Sequence, residues 1–390
     1  MAKDNEGQSI RDYGSRKKRI RRRRNFIIAV ALIALLIGGG VYLYKLYNKS
    51  YTGYEVSHSQ ENPTESGAKY LRYNGGVLKY SKDGATAIAK DGSLRWNGSY
   101  EMKKPVVDIC EKYVVIADQG GTLLKIFDED GVAGSIPTVN NIIKAEVSAK
   151  GIVAVLLEEE RANYIKLFDT DGTELVGMAT SAETDGYPMD ITLSNDGRKL
   201  ITSYLAVTSG ELVGITTFYN FGEVGQNFME NIMGAFKFEG LVVPRVIFNN
   251  NEAACIFKEN GITILKYSEK PEEVKEETYE RKIESILHNE KYAGVVLEKA
   301  ETGYRELILY SLDGTKVLDQ KLDFDFDHIY LSGDEIIMYD NLSCVIMKLS
   351  GRVKFRHTFD MNIDAFYPIN HLDRYFLIND TGISQINLIE

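Results

Sequence analysis

The sequence predicts an all-β protein, a β-propeller of eight four-stranded blades with seven as the alternative count, preceded by one transmembrane helix. Three observations carry this prediction. Apolar alternation begins near residue 70 and continues to the C-terminus. Strand, turn, strand units recur at blade-length spacing. A charge-free run stands behind a block of arginines near the N-terminus.

The repeat is visible in the hairpins TLLKIFDEDGVAGSI at 122–136, NYIKLFDTDGTELVGM at 163–178 and RELILYSLDGTKVLDQ at 305–320. Shorter strand pairs precede each of them, as in VVDIC and YVVIAD at 106–118. Unit starts near Val106, Ala145, Asp190, Arg245, Ile283, Phe326 and Asp364 are 39, 45, 55, 38, 43 and 38 residues apart. Four strands need about this length, and blades around a ring cover one another's faces. Residues 69–100 supply a further blade or part of one that closes against the C-terminal segment. The 24 Tyr and 16 Phe suit strands.

The apolar run Phe26 to Tyr44 holds nineteen residues without a charge, enough to cross most of a hydrocarbon layer about 30 Å thick. Arg21 to Arg24 precede it, so the N-terminus is expected in the cytoplasm and the C-terminal body outside the cell membrane. The run is long for a cleaved signal and lacks a small-residue cleavage pattern, which favours an uncleaved signal anchor. Ala34 and Gly38 have the spacing of a helix-pairing face, though small residues are common in any span and the oligomeric state stays open. The organisation read from these features is a basic tail at 1–24, a span at 25–47, a polar linker at 48–69 and an extracytoplasmic propeller at 70–390.

Charge is unevenly distributed. Residues 1–24 hold ten Lys or Arg and three acids, leaving a net charge of −17 on the rest of the chain. Such a body repels nucleic acid. The tail's charges set topology and also suit anionic headgroups.

The segment AIAKDGSLRW at 87–96 resembles the tryptophan-docking repeat of propellers related to quinone-dependent dehydrogenases. More broadly, the basic tail, the span, YLRYNGGVLKYSKDG, NGSYEMKKPVVDICEKYVVIAD and the stretch from GYPMDITLSNDG to FYNFGEVGQN resemble a family of single-span Gram-positive bacterial proteins with a PQQ-like or WD40-like propeller ectodomain. That family carries no assigned activity, so the resemblance implies location and fold only.

Catalytic motifs are not found. Trp96 is the single tryptophan and no two cysteines are adjacent, so no quinone cofactor is expected and the docking repeat reads as blade packing. Cys110, Cys255 and Cys344 each lie in an apolar stretch and read as small core residues. His58, His288, His328, His357 and His371 show no zinc-ligand spacing. The acids of DEDG at 128–131 and DTDG at 169–172 read as tight-turn chemistry rather than calcium loops. Asp323, Asp325 and Asp327 would share a face if LDFDFDHI were a strand, and an exposed connection between blades is the favoured reading. No catalytic, cofactor-binding or metal residue is assigned.

Two segments stand out as a contact surface. In GEVGQNFMENIMGAFKFEG at 222–240, Phe228, Met229, Ile232, Met233 and Phe236 fall at helical spacing, which predicts a short amphipathic helix inserted into a blade. The polar connection at 180–190 presents Tyr187 before Pro188. The expectation is a non-enzymatic scaffold binding an envelope protein or a cell-wall glycan. A glycan-active hydrolase or lyase with its site at the channel, and a ligand sensor acting through the tail, are the alternatives.

Overall fold

The computed structural model describes residues 24–390 except 43, 46, 62–66, 160, 161, 182, 184, 301, 302 and 371. Nearly all of the basic tail, and His371, lie outside that set. Two compact units result, 1–50 and 51–390. In the first, Arg24–Tyr42 is a helix of 19 residues, long and apolar enough to cross a membrane.

In the second unit the described residues form eight four-stranded antiparallel sheets, the blades of a propeller. Numbered in chain order, their inner strands are Lys69–Tyr73, Pro105–Cys110, Asn141–Val147, Tyr187–Leu193, Arg245–Phe248, Ile283–His288, His328–Ser332 and Ala365–Pro368. The repeat starts read from the sequence fall on or within a few residues of seven of these. Segment 69–100 supplies the complete first blade.

Middle strands such as Tyr113–Asp118 (YVVIAD) and Ala253–Lys258 (AACIFK) are buried almost throughout. Neighbouring blades cover both of their faces, which favours continuous apolar runs over alternation. Outer strands such as Pro271–Thr278 (PEEVKEET) meet solvent and are polar. The core is therefore not one body but a cluster at each blade junction. Between the first and second blades, Trp96 stacks on Phe127 with ring centroids 4.8 Å apart. A Cβ on Gly98 would lie 2.3 Å from the Phe127 ring, so the close approach requires glycine there. The docking segment thus packs blades, as its sequence suggested.

The ring closes with a strand that the sequence reading placed in the linker. Gly53–Glu61 (GYEVSHSQE) is the outermost strand of the eighth blade, antiparallel to Gly382–Ile389, with Gly53 opposite Ile389 and Glu61 opposite Gly382. Its polar composition follows from its position, since only one edge is paired and most of it faces solvent. Apolar side chains join the first and eighth blades at the same closure, including Val77 and Ile88 against Phe376 and Ile378.

The expected helix in the fourth blade is also corrected. Two 3-10 turns, Gly225–Asn227 and Met229–Asn231, lead into the outer strand Ile232–Glu239. Glu230 and Asn231 have φ of 54° and 58°, a left-handed pair that ends any helix. The following residues pair with Glu211–Asn220 to complete the sheet. A bulge beside Tyr219 places Met233 on the same face as Phe236, toward the fifth blade, while Ile232 packs toward the third.

Candidate functional site at the channel and the Tyr187 end

Inner strands of a propeller diverge around the channel, so their backbone groups need partners other than a β-ladder. In blades two to five, side chains supply them. Asp108 Oδ2 accepts the N–H of Val147 at 2.8 Å, Glu146 Oε2 that of Leu193 at 2.9 Å, and Asp190 Oδ2 that of Val246 at 2.9 Å. Thr192 Oγ1 accepts from Phe248 at 3.1 Å. Each blade thereby grips the next.

The same acids anchor a charged network. Lys144 Nζ lies 2.7 Å from Glu146 Oε1 and 2.6 Å from Asp190 Oδ1, and donates to the Ile191 carbonyl at 2.7 Å. Arg245 approaches Asp190 Oδ1 at 3.4 Å. Burial raises the Asp190 pKa even though Lys144 and Arg245 oppose the shift. Burial, then the Glu146 charge, pushes Asp108 up to about 7. His288 lines the channel, and desolvation followed by the Arg245 charge lowers its pKa to about 4. It is neutral at physiological pH.

Two cavities share Asp108, Glu146 and Arg245. The larger, about 380 Å³, is bounded also by Lys144 and Asp190. The smaller, about 150 Å³, reaches Cys110, Thr192 and His288. Sequence reading missed this constellation. Its signal was a carboxylate inside otherwise apolar inner strands, VVDIC and MDITL.

Asp108 gives a pH test. Its raised pKa means that the folded protein keeps a proton which the unfolded chain releases, so the associated stability is present below about pH 4 and lost as pH rises through 7. Asp108→Asn retains an oxygen for Val147 N–H and removes the charge. Relative to wild type it gains about 2 kcal/mol at pH 8 over its value at pH 5. Denaturant melts at the two pH values measure this, and the His288 contribution cancels in the comparison. An unchanged difference would refute the buried-charge assignment.

The residues expected to form a contact surface do not lie together. Tyr187 begins the inner strand of the fourth blade and is 46% exposed, its hydroxyl 3.4 Å from Glu158 Oε1, while Pro188 is buried. Phe228 and Met229 lie in the connection between the third and fourth strands of that blade. In an up-and-down sheet this connection is at the opposite end from Tyr187. Met229 is 86% exposed, Phe228 sits under Lys270 Nζ at 5.4 Å, Met233 is buried, and Ile232 and Phe236 are half-buried.

Beside Tyr187 the structure adds what the sequence did not suggest. The hairpin Lys199–Thr208 and Glu211–Asn220 runs past both neighbouring strands, which end opposite Leu205 and Val213. Its projecting tip pairs Val207, 70% exposed, with the exposed Leu212. Glu158, Glu159, Glu183, Asp185, Glu211 and Glu239 are exposed around it.

The acidic motifs resolve as turns and pairs. Asp128 Oδ1 accepts the N–H of Asp130, Asp171 Oδ1 that of Thr173, and Gly131 and Gly172 have φ of 121° and 88°. Residues 323–327 form a connection between strands, with Asp323 paired to Arg356 at 2.6 Å and Asp325 to Lys299 at 2.6 Å.

Among solved structures, BamB from Moraxella catarrhalis is similar over 86% of this chain and 100% of its own length, with 12% identity and a TM-score of 0.53. This supports the propeller fold. Kuenenia stuttgartiensis hydrazine synthase covers 79% of this chain and 100% of its own at 10% identity and a TM-score of 0.45. Raptor from Chaetomium thermophilum covers 88% of this chain and 29% of its own at 10% identity and 0.47. No curated protein matches the sequence. A family model matches residues 47–388, and the chain accordingly belongs to the DUF5711 family of unknown function.

Proposed function

We propose that this chain is a membrane-tethered, extracytoplasmic scaffold of a Gram-positive cell envelope that docks another envelope protein on the Tyr187 end of its fourth blade. The observation that carries the reading is the projecting hairpin tip, where Val207 and Leu212 stand exposed beside Tyr187. Aliphatic side chains on a projecting ridge suit an apolar pocket in a protein, whereas a glycan needs aromatic platforms, which the Val207 and Leu212 tip does not supply. The acidic surround favours a partner whose contact is rimmed by Lys or Arg. Arginines before an apolar helix support a cytoplasmic N-terminus and an external propeller. The channel carboxylates give the hydrolase reading little support, because Glu146 and Asp190 use both oxygens in bonds that hold the blades.

Photocrosslinking residues placed at Tyr187 and Val207 in growing cells are expected to trap one and the same envelope protein, and Leu212→Glu is expected to abolish the adduct. A probe at Met229 samples the other end of the blade. Adducts at Met229 alone, or wall fragments in place of a protein at Tyr187, would overturn the proposal.

A further inference from the structure

The smaller channel cavity is lined by donors whose hydrogens are not committed. Arg245 touches Asp190 through one nitrogen only, at 3.4 Å, longer than a good N–H to O bond, and 43% of its side chain is exposed. Among the described residues its other nitrogens bond nothing. His288, on the adjacent blade, makes no hydrogen bond there either. The Thr192 hydroxyl accepts from Phe248 and keeps its own hydrogen to donate. On the second blade, Asp108 accepts the Val147 N–H through Oδ2 at 2.8 Å, and burial favours its protonated, donating form.

The acceptors around the cavity are spent. Glu146 and Asp190 each use both oxygens on Lys144, Arg245 or backbone N–H groups. An entering cation would meet the Arg245 guanidinium, held only by Asp190 at 3.4 Å, and carboxylates already bonded to Lys144 and backbone N–H groups. An entering carboxylate would meet a planar guanidinium fork with a hydroxyl, an imidazole and a carboxyl O–H close by.

We infer that the channel holds a binding site for a small carboxylate-bearing ligand, engaged by Arg245 and flanked by His288, Thr192 and Asp108. The cavity of about 150 Å³ limits the bound portion to a few carbons. The site is independent of the Tyr187 surface, so either assignment stands without the other.

The test uses the full chain in detergent, titrated with succinate by calorimetry and by NMR of ¹⁵N-labelled histidine, with His288→Gln assigning the ring signals. Saturable succinate binding that moves the His288 signals is expected, weakened at least tenfold in Arg245→Gln and less in Arg245→Lys. Thermal melts check that both variants fold, and His288→Gln provides a second, channel-exposed site at which affinity is expected to fall about threefold. The inference is overturned if succinate and malonate show no saturable binding, or if folded Arg245→Gln binds as wild type does. Tighter binding of inorganic phosphate, or a response to methylammonium alone, would overturn it as well.

Discussion

Glu335→Gln is expected to destabilise the propeller by about 3–5 kcal/mol, the range for removing one partner from a buried ion network. Glu335 is fully buried in the seventh blade, with Lys348 Nζ at 2.8 Å and Lys354 Nζ at 2.6 Å on one oxygen and the Tyr375 hydroxyl at 2.7 Å on the other. Lys354 also donates to that hydroxyl at 2.7 Å, so the network binds the seventh blade to the eighth. Desolvation already lowers the Lys354 pKa, and Glu335 is the main group opposing that shift. Without the carboxylate, two buried ammonium groups lose their nearest counter-charge. Replacing all three ions together, Glu335→Leu with Lys348→Met and Lys354→Met, should recover most of the loss, because buried ion triads contribute little net stability over apolar packing. Urea unfolding of the single and triple variants measures both. A triple variant as unstable as the single one would mean that the polar network itself, and not merely its charge balance, holds the junction.

Removing Gly53–Glu61 is expected to cost a comparable amount. The strand completes the eighth blade through a ladder along most of Gly382–Ile389, reinforced by Ser57 Oγ donating to the Gln385 carbonyl at 3.1 Å. At about 0.5–1.5 kcal/mol net for each hydrogen bond, the loss is of order 4 kcal/mol. It also exposes the edge of Gly382–Ile389, a template for intermolecular pairing. Replacing residues 53–61 with a Gly-Ser linker of equal length, leaving the rest intact, should lower the melting midpoint and promote aggregation. An unchanged midpoint would show that the apolar packing between the first and eighth blades closes the ring by itself.

The ring was legible because each blade repeats a strong local signal. Middle strands such as VAVLL and AACIF, and the Asp-Gly turns that follow many third strands, identify themselves without tertiary information. Gly53–Glu61 was not legible, since a strand with one paired edge and a solvated face needs no apolar alternation. The 228–236 segment misled for the converse reason. Phe228, Met229, Ile232, Met233 and Phe236 match a helical period, yet a left-handed pair at Glu230 and Asn231 and one bulge spread them over two turns and both faces of a strand. The channel network depends on residues from four blades meeting in space, and no local pattern encodes that. A single Asp in each of VVDIC and MDITL was its only trace.

Ring closure also dictates a schedule. Ser57 and Gln385, joined by a hydrogen bond, stand 328 positions apart in the chain. The strand made first is therefore the last to find its partner, and every intermediate blade can form while the ring is still open. A ribosome-bound chain carries an unsatisfied β edge until Gly382–Ile389 has been made, so the closing strand works as a latch on the ring. Deleting Gly382–Ile389 would leave the latch without a keeper, however well the other seven blades had folded.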